Sequence, residues 1–421
     1  MIDPNRVAQY ILDRVRFTHA AKEFTGRGLL TWDPEKGIHI EAFLEQTVPQ
    51  GNPLSFLAPL VRVEHTSAGP IRLAIRRFGH AVVPRVFPSD LSESLHEGRL
   101  SIRSDRIIFF QQVPALSAAA REHECWTGSA VLLTKTDPEF PDTLKTETTL
   151  NGQTIHSESR GGLSLDEQNG FSVWGWKTGD GSFTLSWALP KSSSSRTEAW
   201  QWAEAGRRAL SILFAQTVWI VRVFASRGTT EITELRPRKT VQSLSHFLQP
   251  LEDFGPPDQR NFNKAAFIQL TRFFASRDPR AEVCWSIFSR LSEASRQETW
   301  QSRELLAATT LDAALRTLDN HPFKSGHDSW KILQSFERFR QTYFDAGWED
   351  ACKKALQVRE RLRHRNAHPE WITYPEGSLP KPEWCRSIED LTFLSRFYGY
   401  MILALAGFKT LPPKFPPVRF N

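Results

Sequence analysis

The residue pattern changes period near the middle of the chain, and this change limits the folds that the chain can adopt. Before segment 249–261, which is rich in Pro, Gly and acidic residues, short runs alternate apolar and polar residues, as strands do. After that segment, apolar residues recur at helical spacing. The length of 421 residues favours two domains. We therefore predict an α+β multidomain protein, with a β-rich N-terminal domain over residues 1–250 followed by an all-α helical bundle over residues 257–421.

Individual elements can be predicted from the same patterns. Short strands are expected over 37–46, 71–79, 106–113, 128–136 and 229–237, and the clearest hairpin spans 171–190. A helix is predicted over 197–216. The apolar stretch 209–225 overlaps its end, and is interpreted as a buried helix or a helix–strand junction. In the second half, helices are predicted over 259–276, 280–294, 298–319, 327–345, 348–366 and 386–407.

Composition and missing motifs narrow the class of protein. The net charge of +6 suits an anionic partner. Four cysteines, at positions 125, 284, 352 and 385, are too widely spaced for a zinc ribbon or a redox pair. The sequence has no phosphate-binding Gly-Lys-Ser/Thr loop, dinucleotide fingerprint or nucleophile elbow. It also lacks the apolar core of a signal peptide and a membrane-length apolar run. We expect a cytoplasmic protein with free thiols, no cofactor, no metal site and no membrane partner.

Residues 361–371, with the sequence RLRHRNAHPEW, are the most chemically suggestive stretch. Between residues 351 and 368, six Lys or Arg side chains stand against one acid, Glu360. Cations near a helix C-terminus complement the helix dipole and stay solvated, so a charged helix end explains the arginines alone. The two histidines of this stretch, His364 and His368, favour a catalytic site instead, because imidazole titrates near neutral pH.

Pro369 determines how these side chains can meet. On an unbroken helix, Arg363 and His368 would lie about 140° apart and would not converge. Pro369 disfavours helical geometry for His368, and Asn366 tolerates a helix end. The helix is therefore predicted to stop near 366 and turn, which would bring His368 back toward Arg363 and His364. Such a pair suits phosphodiester chemistry, since histidine moves protons and arginine binds the phosphate.

The stretch Arg363-His364-Arg365-Asn366-Ala367-His368 resembles the signature of HEPN domains (higher eukaryote and prokaryote nucleotide-binding). In that family an arginine, a polar follower and a histidine stand at the end of a bundle helix, before the loop to a last helix. Arg363, His364 and His368 match these three positions. The chain departs from one subgroup, whose members carry Tyr two residues after the histidine, because that position is Glu370 here.

The layout of the whole chain resembles the ApeA-like branch of HEPN proteins. That branch joins a β-rich N-terminal domain to a C-terminal HEPN bundle and acts in bacterial abortive defence against phage. Residues 26–44 are similar in character to the opening of its N-terminal domain. Residues 302–318 resemble a helix in which an acidic residue precedes a short apolar run, with Asp312 standing where glutamate is more usual.

The resemblance implies a metal-independent endoribonuclease toxin that cleaves RNA, including tRNA, as a homodimer with two motifs facing one another. The N-terminal domain would sense a phage-derived trigger. His368 would act as general acid and base, Arg363 would stabilise the phosphate, and His364 would assist. Arg359, Arg361 and Arg365 would hold the RNA backbone, and Asp312 and Asn366 would be accessory residues. The alternative is a catalytically inactive HEPN scaffold that binds a nucleotide or a protein.

Three other features have a structural interpretation and a functional one. Trp174, Trp176 and Trp187 lie on the predicted hairpin, where aromatic residues are more often core than a platform for stacking bases. Residues 123–125 (HEC) lack a second pair of ligands at metal spacing. Residues 236–239 (RPRK) are interpreted as a solvated basic loop, with RNA contact as the alternative.

Overall fold

The computed structural model describes fifteen stretches of the chain, which divide into two compact units. The described residues are 6–19, 22–45, 71–75, 79–83, 99–112, 126–134, 142–150, 153–165, 172–177, 182–188, 196–227, 230–244, 264–319, 329–367 and 381–408. The first unit comprises Met1–Thr134, Phe140–Glu204 and Trp219–Thr240, and the second comprises Lys135–Glu139, Ala205–Val218 and Val241–Asn421. The first is an antiparallel sheet and the second is helical, so the predicted α+β order of a sheet followed by helices is confirmed.

Fourteen strands build the sheet of the described first unit, and every pairing between them is antiparallel. They are β1 (Ala8–His19), β2 (Lys22–Asp33), β3 (Gly37–Glu45), β4 (Ile71–Ile75), β5 (Gly79–Val83), β6 (Arg99–Ser104), β7 (Ile107–Gln112), β8 (Thr127–Leu133), β9 (Asp142–Leu150), β10 (Gln153–Leu165), β11 (Ser172–Lys177), β12 (Ser182–Ala188), β13 (Trp219–Arg227) and β14 (Thr230–Leu235). Their order across the sheet is β6-β3-β2-β1-β4-β5-β7-β14-β13-β8-β12-β11-β10-β9.

Alternation along these strands places apolar side chains on one face. In β2 and β3, the residues Leu30, Trp32, Ile38 and Ile40 are almost completely buried in one core cluster. Gly128 in β8 allows the ring of Trp187 to pack directly against the backbone of that strand, because a Cβ atom there would lie 2.7 Å from the ring. The alternating pattern thus produces a sheet with a packed side.

A buried carboxylate joins β14 to its neighbours. Glu234 has no exposed surface, and accepts hydrogen bonds from Arg106 Nη2 at 2.8 Å and Arg236 Nε at 2.6 Å. Trp200 Nε1, in the first turns of helix α1 (Arg196–Leu213), also donates to it. Two arginines and an indole satisfy the carboxylate, so its burial does not leave an uncompensated charge.

The second unit is built from the C-terminal part of α1 and six further helices of the described chain. These are α2 (Lys264–Ala275), α3 (Pro279–Arg296), α4 (Trp300–Leu318), α5 (Ser329–Tyr343), α6 (Glu349–Ala367) and α7 (Lys381–Leu405), with a 3₁₀ turn at Ala346–Trp348. Helix α3 begins after Asp278, whose side chain accepts from the Arg280 backbone N–H at 2.8 Å. The Arg280 guanidinium beside this carboxylate also lowers the pKa of Asp278.

Aromatic side chains fill the centre of the bundle. The rings of Phe344 and Trp348 stack with their centroids 4.2 Å apart. Phe397, on α7, lies 6.0 Å from Phe344 and 6.4 Å from Trp348, and 6.0 Å from Phe336 on α5. Aromatic pairs at these separations add stabilisation beyond the apolar area that they bury. The cluster therefore fixes α5 and α7 together, and α7 is one wall of the candidate site.

Most of the predicted elements are confirmed within a few residues. The helices predicted over 280–294, 298–319, 327–345 and 348–366 match α3 to α6, and 209–225 is the predicted helix–strand junction between α1 and β13. Helix α7 begins at Lys381, earlier than the predicted 386, because Pro382 is tolerated in a first turn.

The boundary segment 249–261 lies outside the described residues. The last passage of the chain from the first unit to the second follows Thr240, and residues 241–244 belong with the bundle, where the Gln242 side chain bonds Ser295 and Arg296.

Replacing Glu234 with Gln is expected to lower the free energy of unfolding by about 2–4 kcal/mol, because two partly buried arginines lose their anion. The change is measured by urea unfolding monitored by tryptophan fluorescence. Glu35→Gln, at an exposed turn position, is the control and should shift the curve by less than about 0.5 kcal/mol. Equal effects of the two substitutions would contradict the assignment of Glu234 as a structural anchor.

Burial is expected to protect two of the cysteines from thiol reagents. The three described cysteines are free thiols, and Cys284 and Cys352 are buried, whereas Cys385 is partly exposed. Burial raises the pKa of the Cys352 thiol to about 12, so at pH 8 only about one molecule in ten thousand carries the reactive thiolate. Maleimide labelling followed by peptide mass spectrometry should find Cys385 modified before Cys284 and Cys352, which should react only after unfolding. Rapid labelling of Cys352 in the native protein would contradict the structure.

Candidate active site

Helix α6 carries the basic stretch and has one buried side. Cys352, Ala355, Val358 and Leu362 point into the bundle and are nearly or completely buried. The helix is described through Ala367, and the residues that follow it directly lie outside the described part of the chain. Arg361, Arg363 and His364 lie near this end with exposed side chains. The helix therefore presents a basic surface at its C-terminal end while its other side is packed.

Arg359 and Asp312 form a buried ion pair between α6 and α4. Arg359 Nε donates to Asp312 Oδ1 at 2.8 Å, and Arg359 Nη2 donates to Asp312 Oδ2 at 2.7 Å. Both residues are less than one-tenth exposed. This two-point geometry fixes both side chains, because the planar guanidinium matches the two carboxylate oxygens.

Arg363 lies one helical turn beyond Arg359 and faces the same carboxylate from the solvent side. Its Nη1 atom is 3.8 Å from Asp312 Oδ2, and 44% of its side chain is exposed. This separation is too long for a direct hydrogen bond. The carboxylate of Asp312 thus faces two guanidinium groups. Arg359 is hydrogen bonded to it and buried, whereas Arg363 is not hydrogen bonded to it and is exposed to solvent. A positive charge therefore remains at the surface of α6, oriented by the buried carboxylate.

Tyr398 of α7 supports the turn of α4 that carries Asp312. Its hydroxyl donates to the Ala307 carbonyl at 2.6 Å and accepts from the Leu311 backbone N–H at 3.0 Å. Leu311 N–H and Ala307 C=O are the pair that an uninterrupted helix would join directly, so the hydroxyl is inserted between them. Burial, followed by the neighbouring charge of Asp312, raises the pKa of Tyr398. Its phenol therefore stays protonated and keeps both bonds at neutral pH.

Arg361 is engaged in a second ion pair. Its Nε and Nη2 atoms donate to Asp390 of α7 at 3.1 Å and 2.6 Å, and this hydrogen bonding raises the pKa of Arg361. Asp390 is almost completely buried, whereas 45% of the Arg361 side chain is exposed. Arg361 therefore ties α6 to α7 and still presents part of its guanidinium to solvent.

The other predicted site residues differ in how far the structure places them. His364 is two-thirds exposed, and its Nε2 lies 4.0 Å from Glu360 Oε1. Arg365 and Asn366 lie in the last turn of α6, and their side chains are outside the described residues. His368 and Pro369 are also outside them, so the predicted approach of His368 to Arg363 stays a prediction.

Arg359 was expected to hold the RNA backbone, but its side chain is buried. A residue that is 7% exposed and paired at both oxygens of Asp312 positions other groups and presents no surface to a ligand. The sequence contained an indication of this. Arg359 lies four residues after Ala355 and three before Leu362, which is the spacing of the buried side of a helix.

Where the structure describes the remaining motifs, they form no second catalytic cluster. Trp187 is completely buried, which confirms its interpretation as core, and the side chains of Trp174 and Trp176 are outside the described residues, as is segment 123–125. Arg236, expected in a solvated loop, pairs instead with the buried Glu234, whereas Lys239 is about half exposed. Among the described residues, no group of His, Cys, Asp or Glu could hold a metal ion, and no helix could cross a membrane.

Comparison of the chain with family models, with curated proteins and with solved structures found no match. The site is therefore characterised by its own geometry. In the described part of the bundle, Asp312 and Arg359 form a buried pair, and the exposed Arg363 faces the same carboxylate from the solvent side. Arg361 and His364 are exposed on the same end of α6.

Replacing Asp312 with Asn is expected to lower the free energy of unfolding by about 3–5 kcal/mol, because Arg359 would be left buried with an uncompensated charge. Adding Arg359→Met should recover part of this loss, since methionine fills the space without a charge. Urea unfolding of the two single variants and the double variant measures the coupling.

The control for this cycle is Asp319→Asn, at the end of the same helix α4, where the pair with Arg338 is more exposed. It should cost no more than about 1 kcal/mol. Simple additivity of Asp312→Asn and Arg359→Met would show that the buried pair is not the interaction that holds α4 against α6.

Proposed function

We propose that the helical unit is a metal-independent endoribonuclease of the HEPN type, acting in prokaryotic antiphage defence. The observation that carries the proposal is Arg363, half exposed at the end of α6 and 3.8 Å from the buried carboxylate of Asp312. A guanidinium oriented in this way can exchange a weak contact with the carboxylate for direct hydrogen bonds to a phosphate. The sequence resemblance assigns the phosphate-binding role to the same residue.

Arg363 would stabilise the charge that develops on phosphorus during cleavage. The 2′-oxygen of the ribose forms a bond to phosphorus while the bond to the 5′-oxygen breaks, giving a 2′,3′-cyclic phosphate and a 5′-hydroxyl. His368 would accept the proton of the 2′-hydroxyl, and the 5′-oxygen leaves with a proton from a general acid. Arginine stabilises the dianionic transition state more than the monoanionic substrate, which is the requirement for catalysis.

The neighbouring cations would position the RNA. Arg361 keeps about half of its side chain in contact with solvent although it is bonded to Asp390, so it can add charge next to the phosphate site. Arg365, in the last turn of α6, would extend this basic surface, and His364 would assist at its edge. In a homodimer, the ends of two such helices would form one composite cleft, and the sheet unit would hold the activity in check until a phage-derived trigger binds.

The test compares wild type with Arg363→Ala and His368→Ala on purified tRNA and on total RNA, with and without EDTA. Wild type should cleave in both conditions and leave 2′,3′-cyclic phosphate ends, and either substitution should lower the rate by at least about 100-fold, since each removes a transition-state contact. Lys353→Ala is the matched control, because Lys353 is an exposed cation of the same helix paired only on its own helix turn with Glu349.

Other outcomes would overturn the proposal. Loss of cleavage in EDTA would indicate a metal-dependent nuclease. RNA left intact by wild type, both in purified form and in cells during phage infection, would favour the alternative of an inactive HEPN scaffold. Equal losses in Lys353→Ala and Arg363→Ala would show that net charge, and not a specific arginine, is responsible.

A further inference from the structure

The sheet unit has a second face whose composition differs from that of its packed side. In the order β6-β3-β2-β1-β4, one side of the strands forms the apolar core, and alternation sends the intervening residues to the other side. We name this other side the arginine face, after its five exposed arginines: Arg14, Arg16, Arg27, Arg72 and Arg103. Two exposed acids, Asp13 and Glu41, lie among or next to them, so the described exposed side chains of the face carry more positive than negative charge.

Apolar side chains occupy the middle of the arginine face. Ile11 on β1 lies directly opposite Leu29 on β2, and the two are 49% and 41% exposed. Phe43 on β3 is 67% exposed and lies directly opposite Arg27 on β2. Exposed apolar residues grouped on one surface, with charges around them, are typical of a surface that binds a ligand.

Most arginines of the face have no acidic partner among the described residues of the sheet unit. Arg72 on β4 lies directly opposite Arg16 on β1. Arg14, Arg27, Arg72 and Arg103 make no ion pair with any other described residue of the sheet unit. An anion that lies along the face would neutralise these four charges, so the arrangement is complementary to a polyanion.

We infer that the arginine face binds single-stranded nucleic acid. Bases would stack on Phe43 and lie against Ile11 and Leu29, and phosphates would contact the arginines on either side, from Arg103 on β6 to Arg72 on β4. Five adjacent strands span about 19 Å, enough for several nucleotides. Open sheets with exposed aromatic and basic side chains recognise single strands in this way, because every base has an aromatic face that a duplex conceals. The inference rests on the sheet alone and does not require that the bundle cleaves RNA.

The test measures binding to a fluorescein-labelled 12-nucleotide oligouridylate by anisotropy, at 50 and 200 mM salt. All proteins carry Arg363→Ala, so that cleavage in the bundle does not interfere. Arg27→Gln/Arg72→Gln/Arg103→Gln should weaken binding at least tenfold and lower the slope of log affinity against log salt by about 2, since each phosphate contact contributes about 0.7. Phe43→Ser should weaken binding about tenfold with little change in slope, because it removes stacking and no charge.

The charge-matched control is Arg277→Gln/Lys353→Gln/Lys354→Gln, three exposed cations of the helical unit, and it should bind within about twofold of the parent. Circular dichroism of each variant checks that it is folded. Equal weakening by the control triple variant would overturn the inference. So would a 12-base-pair RNA duplex that binds as tightly as the single strand and is unaffected by Phe43→Ser. Binding to phosphatidylserine vesicles without binding to the oligonucleotide would also overturn it, and would identify a membrane surface instead.

Discussion

The buried ion pair between Asp312 and Arg359 is the interaction on which the candidate site depends. It joins α4 to α6 at residues 47 positions apart in the chain, and each partner would be costly to bury alone. The pair uses both carboxylate oxygens, so Arg363 meets an acid that already has a hydrogen-bonded partner. The exposed arginine is therefore oriented by Asp312 and is not neutralised by it, which is the electrostatic state that a phosphate-binding group requires.

The arginines of α6 share a sequence neighbourhood and have different physical roles. Arg359 is buried and structural, Arg361 bonds Asp390 on α7 and stays partly exposed, and Arg363 is held at a distance from Asp312. Tyr398 adds a third connection, from α7 to the turn of α4 that precedes Asp312. Three helices thus converge behind one exposed guanidinium, so that its position does not depend on a flexible loop.

The local patterns of the sequence were sufficient to predict most helices and several strands, but they could not predict which residues meet across different elements. Helices α3 to α6 could be predicted because their apolar residues repeat at helical spacing between clear start and stop residues. Strands β9 and β10 could not, because their sequences are polar and rich in Thr and Ser and lack an apolar alternation. The Asp312–Arg359 and Arg361–Asp390 pairs link different helices, and no spacing rule within one helix identifies which acid faces which arginine. Only the burial of Arg359 was indicated by its place on the apolar side of α6.

The proposed mechanism requires that Arg363 transfers from Asp312 to the scissile phosphate while Arg359 stays on Asp312. A crystal structure of the protein with an RNA whose cleavage is blocked by a 2′-O-methyl group tests this most directly. The proposed mechanism predicts that Arg363 donates hydrogen bonds to a phosphate oxygen at about 2.7–2.9 Å, with the two Arg359–Asp312 bonds unchanged. An Arg363 that stays beside Asp312 while the phosphate binds elsewhere would contradict it.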